Sequence, residues 1–168
     1  MTPSLPHYPW FAVVSGVTLE QGDVLQECPC LELAWSDLAL ADLSKPVPVE
    51  LRFRDVIIMT QSCDLERSQP PSVLLCDIVE RTKFPASHKL SKSNNLEIAE
   101  KGHMPAFHVV AESTISGFER DVSVVDFQRV HSLPFEFVKR EAERRLHLRL
   151  LPRIANISHK LSLDSSCE

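Results

Sequence analysis

The stretch VIIMTQSCDLERS, residues 56–68, decides how the chain is read. Its first four residues are apolar with no alternation, the pattern of a strand covered on both faces. From Thr60 the sequence turns polar at once, so the chain is expected to reach a surface or cleft there. Cys63 and Asp64 stand at that switch. Immediately before it, VPVELRF (47–53) places Val47, Val49, Leu51 and Phe53 on one face and Pro48, Glu50 and Arg52 on the other, which predicts a half-buried strand. After it, ERSQPPS (66–72) is a loop by composition and VLLCDIV (73–79) is a second strand apolar on both faces.

Further out the signals are shorter. GDVLQECPC (22–30) reads as a turn and a short strand stopped at Pro29, and LELAWSDLALADL (31–43) suits helix by content but strand by the alternation of Leu31, Leu33 and Trp35. PAFHVVAE and DVSVVDFQRV are two further strands, and residues 83–104 form a polar excursion. Within it NNLEIAEKG is a short helix with Asn94 or Asn95 as N-cap and Gly102 just past its end. Phe135, Val138, Ala142 and Leu146 recur at helical spacing, and LPRIANISHKL predicts a last helix from Pro152 with Ile154, Ile157 and Leu161 on one face. Residues 1–12, with Pro3, Pro6 and Pro9, are an irregular arm, and 164–168 are a tail. Strands first and helices afterwards predict an α+β fold, a small, strongly curved, mostly antiparallel sheet or partly open barrel with C-terminal helices. The chain of 168 residues is expected to form one domain.

The composition narrows the function classes. Eighteen basic residues against 23 acidic ones give a net charge of −5, without the basic footprint of a typical nucleic-acid binder. No apolar run is long enough for a bilayer, and MTPSLPHYPW lacks a basic segment followed by an apolar one, so no membrane span or secretory signal is expected and the cytoplasm is the expected compartment. Five cysteines at irregular positions do not form a disulfide framework and are read as free thiols or ligands.

The order GDVL, then RFRDVIIMTQSCDLE, then SVLLCDIV resembles the first half of the PemK/MazF-like toxin barrel, over residues 22–79. TQSCDLE also resembles a signature of an uncharacterised bacterial family. The toxin resemblance implies an SH3-like, PemK-like barrel cleaving RNA without a metal. Arg54 takes the place of the family arginine, Asp55 stands where the family has proline, and Thr82 is the nearest hydroxyl after the later strand. It also implies a bacterial setting, a conflict or mobile-element system of the toxin–antitoxin or defence kind.

The candidate site residues are Cys63, Asp64 and Arg54 for catalysis and Gln61, Ser62, Arg149 and Arg153 for binding. An adjacent carboxylate disfavours a thiolate, so a nucleophilic Cys63 would need a histidine brought from elsewhere, such as His88, His108 or His131. The alternative is a structural turn in which Asp64 accepts backbone N–H groups. Arg149 and Arg153 are the least compensated cations of KREAERRLHLRLLPR, whose Glu141 and Glu143 otherwise pair with Arg140, Arg144 and Arg145 along a helix face. Cys28 and Cys30 lack a second cysteine pair at zinc spacing, so no metal and no cofactor is expected. Two functions remain open. One is an interaction module for a protein or nucleic-acid partner; the other is an enzyme, either an endoribonuclease using Arg54 or a hydrolase using Cys63.

Overall fold

The computed structural model describes residues 9–16, 18–33 and 48–151. Seven strands form one antiparallel sheet: β1 Phe11–Val14, β2 Asp23–Leu33, β3 Val49–Ile58, β4 Ser72–Glu80, β5 Phe107–Val110, β6 Ser123–Pro134 and β7 His147–Leu150. Their order is β1-β7-β2-β3-β4-β6-β5, so among the described strands β1 and β5 are the two edges. Among the described residues two α-helices accompany it, α1 Ser93–Glu100 and α2 Phe135–Glu143. The mixed α+β architecture agrees with the sequence; among the described strands no pairing closes a barrel.

Val56, Ile57 and Ile58 lie at the centre, nearly inaccessible, between β2 and β4. Alternation sends Val56 and Ile58 into one core with Leu25, Cys28, Leu75, Leu133 and the buried face of α2, while Ile57 enters a second core with Val24, Cys76, Val125 and Leu148. Both faces of the sheet are therefore covered here, which is why this segment carries no polar residue. Phe135, Val138 and Ala142 form the inner face of α2 as their spacing predicts. The helix stops at Glu143, and Leu146 is exposed beyond it.

Several expectations are corrected. VPVELRF and DVII are not two strands but one, β3. Its apolar alternate residues Val49, Leu51 and Phe53 face solvent, Phe53 being 65% exposed. β2 does not stop at Pro29 but runs on to Leu33. At Pro29 it is paired with β3 alone, because β7 reaches only Asp23 and Val24, and an edge position tolerates the missing N–H. The end of the N-terminal arm is a strand, β1, paired with β7. The 83–104 excursion is packed: Leu90, Leu96 and Ala99 bury against Phe107 and Val124 in a third cluster. Its helix begins at Ser93 after Lys92, so Asn94 and Asn95 lie in the first turn instead of capping it. The basic run is split between α2 and β7, and Arg149 belongs to β7. Val47, Trp35, Arg153, the helix expected from Pro152 and the tail lie outside the described residues.

The Gly-Asp pair that opens β2 has a clear local cause. Gly22 adopts φ +93°, and a Cβ there would lie 3.3 Å from the Leu150 carbonyl of β7. Asp23, fully buried beside it, accepts from Arg149 Nε at 2.6 Å and from the Glu20 N–H at 2.9 Å. Burial pushes the Asp23 carboxyl up, but the contacts with His147 and Arg149 outweigh it and hold the carboxyl below its ordinary range.

Candidate functional site

The polar turn at the end of β3 is stitched into the fold. Thr60 Oγ1 accepts from the Leu74 N–H at 2.8 Å, and Ser62 Oγ accepts from the Gln21 N–H at 3.0 Å. The N–H groups of Asp64 and Leu65 both donate to the Gln61 carbonyl at 3.1 Å, so the backbone, and not the Asp64 carboxylate, closes the turn. A single π-type turn, Asp64–Ser68, follows, and it drives Leu65 into the core. Cys63 is half-buried and Asp64 is exposed. The Cys63 thiol donates to Gln61 Oε1 at 3.7 Å. Two of the three histidines proposed for it are engaged elsewhere, His88 Nδ1 accepting from the Leu90 N–H and His131 Nε2 meeting Asp77 Oδ1 at 2.7 Å, and His108 lies in the edge strand β5. Arg54 is held by Glu32 through two hydrogen bonds of 2.8 and 2.9 Å, which lower the Glu32 carboxyl and raise the guanidinium. Arg149 is likewise committed, to Asp23, Glu20 and the Thr18 carbonyl. The structure therefore brings Gln61, Ser62, Cys63 and Asp64 together and leaves Arg54 and Arg149 in separate ion pairs.

A second polar site lies toward the opposite end of β3. β3 and β4 pair at only three positions, Val56↔Asp77, Ile57↔Cys76 and Ile58↔Leu75. Beyond Val56 the two strands part: β3 follows β2 out to Val49↔Leu33, and β4 follows β6 out to Glu80↔Ser123. The sheet forks. Two irregularities flank the fork. In β2 the register shifts between Leu25 and Cys28, with Glu27 at φ +48° and its N–H on Asp55 Oδ1 at 3.0 Å. In β6 three extra residues, 127–129, intervene between Val130 (opposite Cys76) and Asp126 (opposite Asp77). Bulges re-aim side chains and increase local twist, and here they accompany the parting of the strands.

The fork opens into a cleft of about 430 Å³, within the range of small-ligand sites. Asp77, with a side chain only 2% exposed, lies at its inner wall. Its Oδ1 holds His131, and this hydrogen bond, against the opposing effect of burial, raises the imidazole above its usual value, helped by the neighbouring Cys30, Asp77 and Glu32. Arg129, from the β6 bulge, lies 3.6 Å from Asp77 and 3.8 Å from Asp126. On the other wall Asp55 holds Arg120 at 3.1 Å. Phe53 and Phe84 also line the cleft, and Phe84 stacks on His88 at 4.3 Å. Sequence reasoning passed over Asp77, Asp126 and Arg129. The available signal was a carboxylate in the middle of an apolar run, VLLCDIV, since such a residue is buried only with a partner.

Among the described residues, no group of histidine, cysteine, aspartate and glutamate side chains could hold a metal ion, and the four described cysteines are free thiols. Burial pushes the Cys76 thiol up to about 11, and its hydrogen bond with Cys28 pushes Cys30 up. No described helix is long and apolar enough to cross a membrane. No family model, no curated protein and no solved structure matches the chain.

Proposed function

We propose that the chain is a protein-binding module and that its contact surface is the part of the β2–β3 hairpin beyond the fork. The observation that carries this reading is the exposed apolar stripe on one face of that hairpin. Leu31 stands opposite Leu51, Leu33 opposite Val49 and Pro29 opposite Phe53, so all six side chains share a face. Leu31, Leu51 and Phe53 are 66%, 55% and 65% exposed. Scattered apolar residues are ordinary on a surface, but a contiguous set of cross-strand pairs is the mark of an interaction site. Along β3 the stretch from Val49 to Asp55 has β2 on one side and no strand on the other among the described residues, so its main-chain groups can take an added strand. The partner that fits is an extended protein segment with alternating apolar side chains.

Charge favours protein over RNA. On the opposite face Arg54 is neutralised by Glu32 and Arg52 by Glu50, which leaves no basic track along the hairpin. The bacterial conflict-system setting rests on the resemblance to the PemK/MazF-like toxins. The endoribonuclease reading rests on the same resemblance and the Cys63-hydrolase reading on residue type, while Arg54 is tied to Glu32 and Cys63 has Gln61 as its hydrogen-bond partner.

The test is selection of peptides from a random display library on the folded protein, with the Leu51→Glu, Phe53→Ser double variant run in parallel. Peptides of alternating apolar pattern that lose the double variant are expected. Peptides that bind both proteins equally would place the contact surface elsewhere, and a concentration-dependent dimer abolished by the same substitutions would make a second copy of the chain the partner.

A further inference from the structure

The cleft in the fork holds an acid that the fold does not fully use. Asp77 Oδ2 is buried, lines the cleft and has no hydrogen-bond partner among the described residues. The same carboxylate spends its other oxygen on His131. Directly across the β4–β6 ladder stands Asp126, also buried, so two carboxylates face the same space. Beside His131, which holds Oδ1 of Asp77, the cation that lies near both acids is Arg129. Its guanidinium is 57% exposed and lies 3.6 and 3.8 Å from the two acids, beyond hydrogen-bond range of either. The guanidinium is thus paired with both acids by charge and not by hydrogen bonds, so a cation that forms those bonds can compete with it. The cleft adds aromatic walls, Phe53 from β3 and Phe84 from the segment after β4. A buried acceptor, a second acid and flanking aromatic rings together suit an organic cation, which gains charge-assisted hydrogen bonds from the carboxylates and quadrupole attraction from the rings.

We propose that the fork is a binding site for a guanidinium or primary ammonium group, that Asp77 and Asp126 receive it, and that Arg129 is an internal competitor which it displaces. The proposal shares Phe53 with the apolar face of the hairpin but rests on the carboxylates of β4 and β6, which lie outside that face. The cation could be a free small molecule or the side chain of an arginine or lysine in a protein segment.

Calorimetric titration with two probes separates these sources: agmatine, and a capped Ala-Arg-Ala tripeptide. Saturable binding of agmatine alone assigns a free small molecule, and saturable binding of the tripeptide assigns a protein side chain. In either case Asp77→Asn should weaken binding by about tenfold or more, the loss of one charge-assisted hydrogen bond. Arg129→Ala should strengthen it, because the competing cation is gone, a gain that a purely structural role for these residues does not produce. Should Asp77→Asn fail to fold, Arg129→Ala and Asp126→Asn decide the matter, expected to tighten and to weaken binding respectively. The proposal is overturned if neither probe binds the wild type or Arg129→Ala, in which case solvent satisfies Asp77 Oδ2. It is also overturned if the folded variants bind as the wild type does, or if inorganic phosphate binds the cleft in place of the cations.

Discussion

Replacing His131 by alanine should expose how much the fold relies on the pair at the inner wall of the cleft. Asp77 and His131 are 2% and 11% exposed at their side chains and meet at 2.7 Å. The substitution removes the hydrogen bond to Oδ1 while Oδ2 already has none, so a buried carboxylate is left with Arg129 at 3.6 Å as its nearest cation. Stranding one member of a buried ion pair costs about 3–5 kcal/mol, the figure expected where His131 is protonated. Because its hydrogen bond to Asp77 raises the folded imidazole above its ordinary value near 6.5, the folded state holds the proton more tightly than the unfolded chain. The ionic part of the stabilisation is therefore complete below about pH 6.5 and is lost as pH rises through the raised value. Once the folded imidazole has lost its proton it keeps a hydrogen bond to the carboxylate, worth about 1.5–3 kcal/mol. Urea denaturation of the wild type and His131→Ala at half-unit steps from pH 6 to 9 measures the difference, which should shrink as pH rises. A difference below about 1 kcal/mol at pH 6, or one that does not change with pH, would refute the reasoning.

Ile58→Ala should destabilise the protein by about 2–4 kcal/mol in the same assay, since Ile58 is fully buried between β2 and β4 and the cavity cannot drain to solvent; a loss under half a kilocalorie would contradict its central position. Cys63→Ser should leave stability within about 0.5 kcal/mol, because the half-buried thiol makes a single long contact with Gln61. If Cys63 acts by position in a binding turn, that variant should also reduce function only mildly and Asp64→Ala more, whereas a nucleophilic Cys63 would lose activity by orders of magnitude on serine substitution, read in any assay of the protein's function.

The core of the fold was legible because its signal is local. Val56 to Ile58 show no alternation, and only cover on both faces explains that. The face of the hairpin was not legible for a reason of the same kind: alternation shows that Val49, Leu51 and Phe53 share a face, but not whether anything covers it. The packed 83–104 segment was hidden because Leu90, Leu96 and Ala99 are spread among polar residues and bury against Phe107 and Val124 from distant strands. The fork left no pattern at all. It depends on where two registers shift, at Glu27 and at 127–129, and a register shift is a property of paired strands, not of one segment. The polar turn from Thr60 to Asp64 was correctly placed at the end of a buried strand, yet its hydroxyls serve the backbone of Leu74 and Gln21, contacts made across the fold. Arg149 looked uncompensated because its partners, Asp23 and Glu20, lie more than a hundred residues away.

The central claim is that an extended partner segment joins the hairpin along the open side of β3. Amide hydrogen exchange with a display-selected peptide tests it most directly. On saturation, alternate amides between Val49 and Arg54, those directed away from β2, should slow by at least about tenfold, while the amides of Val56 to Ile58, already paired on both sides, stay unchanged. Protection that appears elsewhere and leaves the β3 amides at their free rates would contradict the account.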